Sequence, residues 1–140
     1  MKYDIEELRA LEERLAATSG PDRRIDADMH VLLFQKPNEH YIRPFRYPIL
    51  LAQEHQWPGI LEYVDISGVS AVAAEKFTAS VDASAMLCDR VLRGWFWDVT
   101  STGQAWVQSE DSTHHWSAEA KTPACALCLA TVRALIAGAP

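Results

Sequence analysis

What this chain of 140 residues lacks narrows its function first. No run approaches the ~20 consecutive apolar positions that a membrane-crossing helix needs. The most apolar stretch, Pro123 to Ala139, is interrupted by Thr131 and Arg133 and reads as a buried helix. Cysteine is scarce: three residues, an odd number with no framework spacing, predict free thiols in a reducing cytoplasm rather than a disulfide scaffold. Positive charge is in deficit, with 13 Lys and Arg against 19 Asp and Glu and a net charge of -6. Coating duplex nucleic acid takes clustered cations to neutralise phosphates, so that task is disfavoured. The opening MKYDIEELRALEERL carries charges where a secretory leader needs an apolar core, so no leader is expected. GxSxG, HExxH, the P-loop and GxGxxG are all missing, and no catalytic residue or cofactor is expected.

What is present is an ordinary globular composition, 49% apolar and 23% charged, of a length that suits one domain over residues 1–140. Ile5, Leu8, Leu11 and Leu15 recur at three- and four-residue spacing and predict a helix from Ile5 to Ala17. Thr18-Ser19-Gly20 stops it. Pro21 suits the first turn of a second helix capped by Ser19 or Gly20, with Ile25, Met29, Leu32 and Leu33 inward and Asp26 and Asp28 toward water. The pair makes a helical hairpin. Residues 35–76 read as a divergent or inserted, loop-rich segment with Pro37, Pro44 and Pro48. Within it, Ile60 to Ile66 alternates weakly like a strand, and Ser67 to Lys76 is small and flexible in composition.

From Phe77 the pattern is clear. Ser80 caps a helix from Val81 to about Leu92, ended by Gly94. Three short strands follow, Trp95–Thr100, Ala105–Gln108 and His115–Ala120, joined by Ser101-Thr102-Gly103 and by a polar turn. Thr122 caps a final helix with Pro123 in its first position. The expected fold class is therefore α+β: a helical hairpin, then a helix, a three-stranded antiparallel meander and a C-terminal helix.

Three segments carry a resemblance: Leu11–Ala17 running into Gly20-Pro21-Asp22-Arg23-Arg24-Ile25-Asp26; Phe77-Thr78-Ala79-Ser80-Val81-Asp82-Ala83 before the Trp-rich strand; and Thr122–Ala130 closing with Arg133-Ala134. In this order they resemble the phage ABA-sandwich domain, a family of small phage and prophage proteins. The resemblance covers about two-thirds of the chain and departs from the pattern over residues 35–76. It implies an α-β-α sandwich and a setting in the cytoplasm of an infected host cell. It carries over no activity and no functional residues.

Several constellations bear on chemistry. Cys125-x-x-Cys128, with His114 and His115 upstream, has the ligand types for zinc or thiol chemistry, but the cysteines sit among Ala and Leu, as packing residues do. Trp95, Trp97, Trp106 and Trp116 spread over all three strands with Phe96 on the opposite side from Trp95 and Trp97. Either helices cover both sheet faces, or one face is partly open and stacks a base or docks a partner. Asp22-Arg23-Arg24 with Asp26 is an acidic-basic cluster on the second helix, either a solvated face of paired charges or a place where Arg23 or Arg24 reads a phosphate or carboxylate. Tyr41, Arg43, Phe45, Arg46 and Tyr47, with Trp57 beyond, have the composition of a binding loop. With the phage or prophage origin that the resemblance implies, these residues point to a non-enzymatic accessory protein that binds a host or phage protein. The alternatives are sequestration of a nucleotide signal or other small anionic ligand, and a small zinc- or thiol-dependent enzyme. A homo-oligomer is compatible with each.

Overall fold

A computed structural model of the chain describes residues 3–34, 40–41 and 59–139. It is a mixed α+β fold, and among the described residues there are four helices and two small antiparallel sheets. Helix α1, Ile5–Ala17, buries Leu8, Leu11 and Leu15, the stripe that its spacing predicts. Asp4 starts it by accepting from the N–H groups of Glu6 and Glu7 at 2.9 and 3.2 Å. Helix α2 spans Arg23–Phe34, so the start expected at Pro21 is corrected. The cap is Asp22, whose Oδ1 accepts from Arg24 N and Ile25 N at 2.8 and 3.2 Å. A carboxylate beside two orphan N–H groups is a better cap than Ser19 or Gly20 two or three residues earlier.

The first sheet runs β1 (His40–Tyr41), β2 (Ile60–Asp65) and β3 (Gly68–Ala73), in that order. The stretch from Ser67 that reads as small and flexible is thus mostly a strand. Its small residues hide the pairing, which places Leu61 opposite Val72 and seals Ala27 and Val31 of α2. The second sheet is β4 (Phe96–Val99), β5 (Gln104–Gln108) and β6 (His115–Glu119), the meander expected from the sequence. Its first turn needs glycine: Gly103 has φ of 87°, and a Cβ there would lie 2.2 Å from the Ala120 carbonyl oxygen.

Helix α3, Val81–Val91, starts at Ser80, whose Oγ accepts from Ala83 N at 3.2 Å. Helix α4, Pro123–Ile136, starts at Thr122, whose Oγ1 accepts from Cys125 N at 3.2 Å. Helix α4 is the centre of the molecule. It packs on one face of β4–β6 and, on its other side, on α1 and α3. That explains why it is apolar nearly all round. Thr131 tolerates this burial because its hydroxyl donates to the Leu127 carbonyl at 2.8 Å. Among the described residues no helix is long and apolar enough to cross a membrane.

Candidate partner-binding face

Side chains of β4–β6 alternate between two sides, and on the α4 side Trp116 of β6 stays exposed at 37%. Trp97 and Val99 of β4, Ala105 and Val107 of β5, and Ala118 of β6 turn toward the core around α4. The intervening residues form three cross-strand rows on the opposite side. Phe96, Gln108 and His115 make the first row, and Asp98, Trp106 and Ser117 the second. Gln104 and Glu119 make the third. The seven of these other than Trp106 divide between half-buried Gln108 and six exposed residues, with Phe96 at 56%. No helix among the described residues packs across this side to the extent that α4 packs on the other.

Side-chain contacts hold the face in one arrangement. Trp106 stacks on His115 across the β5–β6 diagonal, ring centroids 5.7 Å apart and planes 24° from parallel. His115 Nδ1 lies 3.2 Å from Gln108 Oε1. Gln104 Nε2 donates to Glu119 Oε1 at 3.2 Å, and Asp98 Oδ1 accepts from Val99 N at 2.8 Å. The turn that delivers β6 is equally organised. The Asp111 carboxylate accepts from the Ser109 and Thr113 hydroxyls and from Thr113 N at 2.7, 2.8 and 3.1 Å. These donors favour its charged form and hold its pKa down to about 2. The same turn stacks His114 on Trp95, at 6.4 Å and 9°. Adjacent histidines are therefore sent to two different tryptophans.

The remaining sequence candidates fall elsewhere. Arg43, Phe45, Arg46, Tyr47 and Trp57 lie outside the described residues. Tyr41 is a packing residue of the first sheet: its hydroxyl shares a 3.0 Å hydrogen bond with His30 Nε2, and its ring meets those of His30 and Tyr63 at 5.7 Å. Arg24 is exposed in the first turn of α2. Its neighbour Arg23 and Asp26 are structural, which corrects the placement of Asp26 toward water. Asp26 is fully buried. It accepts from Thr78 N and Thr78 Oγ1 at 2.8 Å each and from Arg23 Nη1 at 2.7 Å. Arg23 Nη2 in turn donates to the Ala74 carbonyl at 2.7 Å, tying α2 to the end of β3.

Cys125 and Cys128 sit in the core with Cys88, all three fully buried and none in a disulfide. The Cys128 thiol donates to the Phe77 carbonyl at 3.4 Å, and burial raises its pKa well above the ordinary value. Burial also raises that of Cys125 and pushes Cys88 up to about 11. Thiols so held are poor nucleophiles. His114 and His115 are exposed and stack on different tryptophans, Trp95 and Trp106, and among the described residues no group of three or more His, Cys, Asp or Glu is placed to share a metal ion.

The sequence offers a partly open face of this sheet as one alternative, with Trp106 for binding and His115 only as a metal candidate, but does not join Trp106 to Phe96, Asp98, Gln108 and Glu119 on it. The available signal was the alternation of Phe96 and Asp98 against Trp97 and Val99. No family model, no curated protein and no solved structure matches this chain.

Proposed function

We propose that this protein acts by binding, and that it docks a partner protein on the outer face of β4–β6. The observation that carries this reading is the exposure of Phe96, 56%, beside Trp106 on a sheet whose opposite face is packed against α4. Leaving a large aromatic in water forgoes roughly 1.5–3 kcal/mol of burial. A complex recovers it. In the phage or prophage setting that the resemblance implies, the partner is a host or phage protein in the host-cell cytoplasm. The α-β-α layering that the resemblance implies is then completed by the partner, which supplies the second cover over the sheet. A small anionic ligand is disfavoured at this face, because its strands carry Asp98 and Glu119 and no Lys or Arg.

The test is capture from host cells by the whole chain and by a Phe96→Ser/Trp106→Ser variant. The variant should keep its circular dichroism spectrum and lose the partner. Equal capture by both proteins rejects the face as the binding surface.

A further inference from the structure

We infer that this face takes a basic, arginine-bearing peptide segment of the partner, with a guanidinium laid on Trp106 between Asp98 and Glu119. This rests on the reading of the β4–β6 face as the docking surface and names what it recognises.

Size sets the form of the occupant. Three strands of four or five residues, at about 4.8 Å between strands and 3.3 Å per residue, give a face of roughly 14 by 17 Å, about 240 Å². A standard protein interface takes about 800 Å² from each side. The face by itself falls short of that and is of a size for one short segment.

Charge sets its chemistry. The only side chain on the three strands that can become positive is His115; Arg93 and Lys121 lie beyond the strand ends. Asp98 and Glu119 lie on either side of Trp106, in its own row and the next. Both are exposed, and no ion pair between described residues uses either. Their carboxylates are already oriented, Asp98 by Val99 N and Glu119 by Gln104 Nε2. The trough they line has Trp106, Gln104 and Ser117 along it. The His115 stack fixes the plane of the indole. A fixed aromatic plane flanked by carboxylates fits arginine better than lysine. The guanidinium is planar, stacks on indoles and offers paired donors to carboxylates.

The occupant lies on the face and does not extend the sheet past β6. Arg133 Nη1 donates to the Ser117 carbonyl of that strand at 3.1 Å, while Arg133 Nε pairs with Glu12 at 3.2 Å. The basic side chain thereby occupies an edge group that an added strand would use.

The experiment is selection of a displayed random-peptide library on the full chain, with sequencing of the bound pool. Enrichment of arginine over lysine is expected. Asp98→Asn and Glu119→Gln should each weaken a selected peptide about threefold, and together about tenfold, as exposed ion pairs do. Circular dichroism verifies that each variant is folded. Selected peptides that need Phe96 and Trp106 but are neutral or acidic, or ignore the two carboxylate substitutions, overturn the arginine inference and leave the face as a docking surface. Peptides that bind Phe96→Ser/Trp106→Ser as well as the parent chain reject the face itself. A pool with no enriched sequence overturns the peptide inference.

Discussion

Replacing Asp26 with alanine tests the account of the core most sharply. The carboxylate is fully buried and satisfies three donors, Thr78 N, Thr78 Oγ1 and Arg23 Nη1, at 2.8, 2.8 and 2.7 Å. Asp26→Ala leaves the Thr78 N–H in the interior without its acceptor, at about 1–3 kcal/mol. It also removes the counterion of Arg23. That loss falls short of the ~3–5 kcal/mol of a broken buried pair, because the Arg23 side chain is 25% exposed and keeps the carbonyls of Ala74 and Glu75. The expected total is about 3–4 kcal/mol, a large share of the ~5–15 kcal/mol that stabilises a domain. With an m-value of roughly 2 kcal/mol/M in urea, the unfolding midpoint should fall by about 2 M. Urea titration followed by both circular dichroism and tryptophan fluorescence measures it. Combined with Arg23→Ala in a double-mutant cycle, the pair should show a coupling of about 1–2 kcal/mol. A loss below about 1 kcal/mol for Asp26→Ala would refute the reasoning, since a buried acceptor of three donors would then be dispensable.

Three further outcomes are expected. Gly103→Ala should cost upward of about 2 kcal/mol, combining a left-handed backbone with a Cβ only 2.2 Å from the Ala120 oxygen, and thermal unfolding reads it. The thiols should be inert to Ellman's reagent in the native protein at pH 8 and all react in guanidinium. The Cys88 proton is held to about 11 in the fold against 9.0 ordinarily, so stability is whole below pH 9 and drains as pH rises to 11, by roughly 2 kcal/mol. A Cys88→Ala variant with an equally steep alkaline loss contradicts that assignment. The Asp111 side chain should titrate near pH 2 by carbon-13 NMR, with the turn intact above the ordinary 3.8 and loosening as pH falls toward 2. A midpoint near 4, or no change on Ser109→Ala, counts against the hydroxyl contacts.

Local rules made most elements legible. The Leu8, Leu11 and Leu15 stripe, the Ser80 and Thr122 caps and the Trp-rich strands all have short-range causes, and the structure places them as expected. The first sheet was harder, because β3 is built of Gly, Ser and Ala with two valines and its pairing with β2 is its main signature. The burial of Asp26 was not legible either. An acidic residue three positions from an arginine reads as a wet helix face. Only the tertiary contact with Thr78, 52 residues away, turns it inward. The candidate face was half legible for the same reason. Alternation separates Phe96 from Trp97 in sequence, but which side stays open depends on where α4 lands. Because α4 serves both the sheet and the α1–α3 side, a chain segment apolar all round did not require helices on both faces of β4–β6.

The most direct test of the docking face is photo-cross-linking in the cells that make the protein. Benzoylphenylalanine replaces Phe96 in one protein and Met86, an exposed residue of α3 at 41%, in another. The account predicts a discrete adduct from position 96 that disappears when Trp106→Ser is added, and none of comparable yield from position 86. Adducts of equal yield from both positions, or from position 86 alone, would contradict it.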